Sequence, residues 1–124
     1  MTTTAKLFAV TIDCAEPKRL AEFYHRITGM DVQYAEDEYA AVGDGTMSLY
    51  FGRVPDREPV DWPSPDKQFH LDLRVPDPER AAEEFAALGA TRPDFQPGIT
   101  DQGVGWIVMR DPEGHLFCLC PERS

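Results

Sequence analysis

The sequence predicts an α+β fold of two tandem βαβββ modules. Three observations carry that reading. A strand pattern followed by a proline-opened amphipathic helix occurs twice. The copies align residue by residue: TIDCAEPKRLAE (11–22) over DLRVPDPERAAE (72–83), at an offset of 61. Residues 54–66 hold four prolines and read as a linker between them. The expected organisation is one domain over 1–124, with modules at about 6–53 and 67–120.

In the first module a strand is expected over 6–14, with Val10 and Ile12 at alternate positions. Glu16-Pro17 opens a helix whose buried face is Leu20, Phe23, Tyr24 and Ile27, and Gly29 ends it. His25 lies between those core positions and is expected to face solvent. Strands follow near 30–35, 38–42 and 46–53, with Gly43-Asp44-Gly45 turning between the last two.

In the second module residues 68–75 alternate strictly. Asp77-Pro78 supplies an N-cap and a first-turn proline. Ala81, Ala82, Phe85 and Leu88 form the apolar face of that helix, and Gly89 closes it. Strands are expected near 91–95, 104–110 and 115–120, the last two joined by Asp111-Pro112-Glu113-Gly114. Gly45 and Gly114 give a second repeat anchor, at an offset of 69.

Composition narrows the partners. A hydrophobic share of 42% is globular. The net charge of −10 disfavours nucleic acid and anionic membrane surfaces, and suits a cationic or neutral small ligand or simply a solvated acidic surface. No apolar run approaches the ~20 residues of a spanning helix, and no signal peptide is read at the start. Three cysteines, without C-x-x-C spacing, give no disulfide framework and point to a reducing cytoplasm.

The segments VTIDCAEPKRLAEFYHRITGM, FHLDLRVPDPERAAEEFAALGA and WIVMRDPEGHLFCLC resemble the vicinal oxygen chelate superfamily. That group includes glyoxalases, bleomycin-resistance proteins and extradiol dioxygenases. The resemblance covers nearly the whole chain. It implies a curved mixed sheet that encloses a ligand cavity, with the helices on its outer face.

Metal-binding members take one ligand from the first and last strand of each module, typically His and Glu. The two repeat offsets place those positions at Ala9, Leu49, His70 and Cys118. Ala and Leu offer no donor, so no metal and no cofactor is expected; a rearranged site through Asp13, Asp72 or a partner chain is the exception.

Alternation sends His70, Asp72 and Arg74 to one face, and Leu71, Leu73 and Val75 to the helix side. Leu116, Cys118 and Cys120 share a face of the last strand. His70 reads either as a ligand-binding or acid/base group beside Asp72, or as a cavity histidine satisfied by water. Cys118 reads as a small buried hydrophobe or as a thiolate near Arg74 or His70. Trp106, Trp62, Tyr50, Phe51 and Phe95 read either as walls of an apolar pocket or as core, with Trp62 the candidate to cover a cavity mouth or an interface, while His115 is expected at a turn edge.

The expected ligand-binding set is His70, Asp72, Arg74, Trp106 and Cys118, with His70 and Asp72 as the catalytic pair if a reaction occurs. The first functional expectation is a metal-free small-molecule binder like the bleomycin-resistance branch. The alternatives are an enzyme of the glyoxalase, lyase or dioxygenase type, with a rearranged metal or acid/base site, and a module without ligand. A cytoplasmic homodimer is expected in each case.

Overall fold

The computed structural model describes residues 3–4, 6–59, 61–64 and 69–122. The chain divides into two compact units, Met1–Arg57 and Glu58–Ser124. The expected starts of the second module, at 67, and of its first strand, at 68, lie outside the described residues.

The first unit runs β1 (Ala9–Cys14), α1 (Pro17–Thr28), β2 (Asp31–Ala35), β3 (Tyr39–Gly43) and β4 (Ser48–Arg53). Pro17 occupies the first turn, where a missing N–H costs no helical hydrogen bond. Gly29, at φ +76°, turns the chain out of the helix, and its N–H donates to the His25 carbonyl at 2.9 Å. The strands hydrogen-bond in the order β1-β4-β3-β2, with β1 parallel to β4 and the other pairs antiparallel.

Leu20, Phe23 and Tyr24 are buried, and the Tyr24 ring stacks on Phe51 of β4 at 5.6 Å. Phe51 is therefore a core residue of this unit. Tyr50 meets Phe8 edge-on at 6.3 Å. His25 departs from its solvent-facing expectation: the residue is half-buried, and Nδ1–H donates to the Met30 carbonyl at 2.7 Å.

The second unit runs β5 (Leu71–Val75), α2 (Pro78–Ala87), β6 (Ile99–Thr100), β7 (Gly103–Val104), β8 (Ile107–Arg110) and β9 (Leu116–Pro121). Its sheet order, β5-β9-β8, repeats β1-β4-β3 of the first unit, including the parallel first pair. The Asp77 carboxylate accepts from the Arg80 N–H at 3.2 Å, so the expected N-cap forms. Phe85, Ala81 and Ala82 of α2 are buried, as are Phe117 and Leu119 of β9 and Ile107 and Met109 of β8.

The repeat is visible in backbone angles. The two turn glycines hold nearly the same left-handed conformation, φ +90° at Gly45 and φ +89° at Gly114. An aspartate organises each turn. Asp44 accepts from the Thr46 and Met47 N–H groups, and buried Asp111 accepts from those of Glu113 and His115. His115 adds an Nδ1 contact to Asp111 at 2.7 Å, which gives it the turn role expected of it.

One expected element does not form. Residues 91–95 are not a strand; Thr91 alone bridges Arg110 on the free edge of β8. Pro93 and Pro97 lack the N–H that a ladder needs. The side-chain amide of Gln96 takes the next ladder position. It accepts from the Val108 N–H at 2.8 Å and donates to the Val108 carbonyl at 2.9 Å. A short hairpin, β6–β7, occupies the stretch that follows.

Candidate functional site

The site belongs to the second unit. Cys118 sits at the middle of the three-stranded sheet, beside Asp72 of β5 on one side and Val108 of β8 on the other. Residues two apart on a strand share a face. One face of the sheet therefore carries His70 and Asp72, Leu116 and Cys118, and Trp106 and Val108.

This arrangement builds a pocket of about 270 Å³. Val108, Leu116 and Cys118 contribute from the sheet, with His70 and Trp106 at the strand ends. Trp62 and Pro97 contribute from the loops. Trp62 packs against Val108, Leu116 and Cys118, its Nε1–H donates to the Phe95 carbonyl at 3.0 Å, and its ring tilts against Phe95 at 6.0 Å. The linker tryptophan is thus one of the pocket walls, in contact with Phe95.

Gly98 shapes the same wall. A Cβ at this position would overlap the Trp106 carbonyl and indole ring, so only glycine admits the indole there. A second, more open hollow of about 400 Å³ lies by Arg92, Pro93, Asp94, Gln96 and Ile99. Two of its polar side chains are engaged elsewhere: Arg92 forks onto Glu79 at 2.8 and 3.3 Å, and Gln96 holds Val108.

His70 Nε2 lies 3.2 Å from Asp72 Oδ1. A donor atom from each of His70, Asp72 and Cys118 lies within 4.8 Å of the others. The His70 side chain is 39% exposed and that of Asp72 63%, whereas Cys118 is 6% exposed. Arg74 is exposed on the same strand but outside the pocket walls. Its charge is felt at Cys120, whose thiol is pushed up by burial, further by Asp72, and down by Arg74.

Of the five residues expected at the site, His70, Trp106 and Cys118 line the pocket, Asp72 reaches it through His70, and Arg74 stands apart. Tyr50 and Phe51, expected as pocket candidates, lie in the first unit and contribute to its own packing. Pro97, Val108 and Leu116 were not foreseen as walls. The alternation of β8 and β9 holds the signal for the last two, since Val108 follows Trp106 by two and Leu116 precedes Cys118 by two.

The sequence profile of the glyoxalase-like domain matches residues 9–120. The chain belongs to the glyoxalase-like domain family. Solved structures agree with the glyoxalase-like fold. A glyoxalase/bleomycin resistance protein/dioxygenase family enzyme from Burkholderia phytofirmans PsJN is 19% identical, covering 94% of this chain and 98% of that one, at TM-score 0.66. TioX from Micromonospora sp. ML1 is 18% identical, over 96% and 100%, at TM-score 0.61. The bleomycin-binding protein of Streptomyces verticillus, solved with copper(II)-bleomycin, is 16% identical, over 99% and 100%, at TM-score 0.57. No curated protein matches the chain. Among the described residues of this glyoxalase-like chain, no helix is long and apolar enough to cross a membrane.

Proposed function

We propose that this glyoxalase-like chain binds a small molecule in the pocket of its second unit, without the four-ligand metal centre of its superfamily. The observation that carries the reading is the pocket itself: two indoles and apolar strand residues around one imidazole and one thiol. Ligand sites are mostly apolar with a few placed polar groups. A volume of about 270 Å³ suits a flat ring, or one ring-bearing portion of a larger molecule.

Of the four positions that the superfamily uses for metal, Ala9 and Leu49 carry no donor atom. The net charge of −10 favours a cationic ligand, and tryptophan faces attract cations as well as stack on rings. The structural likeness to a bleomycin-binding protein supports sequestration of a drug or metabolite as the purpose. The reading includes a cytoplasmic homodimer, checked by light scattering at micromolar concentration, where a monomer contradicts it.

The His70–Asp72 contact at 3.2 Å favours a second reading, an enzyme in which His70 moves a proton on a small metabolite with Asp72 orienting it. One experiment addresses both. A panel of aromatic cations and neutral aromatics is screened by thermal shift and tryptophan fluorescence, with product analysis on every hit. Trp106→Ala weakens a bound ligand by about 10–100-fold if the pocket binds it. Turnover that His70→Ala abolishes would establish the enzyme. A panel that neither quenches fluorescence nor shifts melting overturns both.

A further inference from the structure

We propose that His70, Asp72 and Cys118 form a three-donor site for a thiophilic divalent cation of the zinc class, set within one unit at the edge of the pocket. The inference goes beyond ligand binding by the aromatic walls. The site keeps two of the four superfamily positions, His70 and Cys118, but differs in its third donor: Asp72 is none of the four, and no donor comes from the first unit.

The geometry follows from the sheet. Asp72 and Cys118 are register partners on adjacent parallel strands, so their side chains leave the sheet side by side. His70 lies two residues before Asp72, and its Nε2 already stands 3.2 Å from Asp72 Oδ1. A tetrahedral zinc ion with bonds of about 2.0–2.3 Å sets its ligand atoms about 3.3–3.6 Å apart. The three donors lie within 4.8 Å of one another, and the exposed His70 and Asp72 side chains have room to turn inward.

The donor types select the ion. A thiolate and an imidazole favour zinc over magnesium or calcium, which call for several oxygen ligands. Binding the cation deprotonates the coordinating thiol outright, so Cys118 needs no prior activation. Three protein ligands leave a fourth position open. His70 and Cys118 both line the pocket, so that position adjoins the space proposed for the ligand.

The test uses the full chain without a polyhistidine tag, stripped with EDTA under reducing conditions. Co²⁺ is the probe, followed by Zn²⁺. One Co²⁺ per chain is expected, with a thiolate-to-cobalt charge-transfer band that Zn²⁺ abolishes, and a Zn²⁺ Kd of about 1 µM or tighter. His70→Ala, Asp72→Asn and Cys118→Ser each weaken binding at least ~10-fold, while Cys120→Ser does not. Asp72 is exposed, so Asp72→Asn decides the matter even if Cys118→Ser fails to fold. No charge-transfer band, a band that survives Cys118→Ser, or unchanged affinity in Asp72→Asn overturns the site. Screening aromatic ligands on the stripped chain keeps the pocket proposal separately testable.

Discussion

The side-chain amide of Gln96 pairs with the backbone of Val108 as a strand would, accepting from its N–H at 2.8 Å and donating to its carbonyl at 2.9 Å. A third bond, from Nε2–H to the Pro93 carbonyl at 2.9 Å, fixes the amide's orientation. Together with the Thr91–Arg110 bridge it completes the edge of β8, the strand that carries Val108 to the pocket.

Gln96→Ala leaves the Val108 N–H and carbonyl without these partners beneath a largely covered surface. The expected cost is about 1–3 kcal/mol in urea unfolding. Faster hydrogen exchange at the Val108 amide is the local signature. Gln96→Glu keeps the acceptor for the Val108 N–H but sets a carboxylate against two carbonyls, so it is expected to be no better tolerated than alanine.

Gly98→Ala separates the pocket from the fold. The new methyl meets the Trp106 carbonyl and indole, so Trp106 must shift. The expected result is a destabilisation of about 1–3 kcal/mol, with the far-ultraviolet spectrum retained. Tryptophan emission should move, and any ligand found for the pocket should bind at least ~10-fold more weakly.

Asp111→Ala removes the acceptor that gathers the N–H groups of Glu113 and His115 and the His115 ring. Asp111 is only 2% exposed, and the orphaned donors are sheltered. A loss of about 2–3 kcal/mol is expected in chemical denaturation. Asp44→Ala, at the exposed equivalent turn, should cost less, because water replaces the carboxylate. Equal losses at the two turns would contradict this reading.

Acid weakens the fold through two identified carboxylates. The Arg92 fork holds the Glu79 carboxyl below its ordinary range, and the Met47 and Thr46 N–H groups do the same for Asp44. A carboxyl depressed in the folded state adds stability above its unfolded pKa, about 4, and loses it as pH falls through the folded value. The Glu79 side chain is 53% exposed, so solvent screening limits its share to about 0.5 kcal/mol. Glu79→Gln should therefore be slightly less stable than the parent at pH 7 and equal to it at about pH 2. A constant difference across that range would remove the ion pair from the explanation.

Periodicity and capping made most of the fold legible. Both helices open at the expected residues, Pro17 and Asp77-Pro78, and α1 closes at Gly29 as expected; α2 is capped one residue early, at Leu88, with Gly89 following in a left-handed conformation. The strand expected at 91–95 failed because its edge is closed by a side chain, and a side-chain amide standing in for a ladder rung leaves no period in the sequence. His70, Asp72 and Cys118 were each marked by strand alternation. Their proximity depends on the β5–β9 register, a tertiary fact that alternation alone does not carry. Arg74 was grouped with them on the same argument, but it lies two residues further along a strand that has by then passed the pocket.

All the described wall residues fall between Trp62 and Cys118, within a single compact unit. On the proposed reading each polypeptide therefore carries its own binding pocket. Occupancy should follow a simple hyperbola with one equivalent per chain, and dilution that separates associated copies should leave the midpoint unmoved.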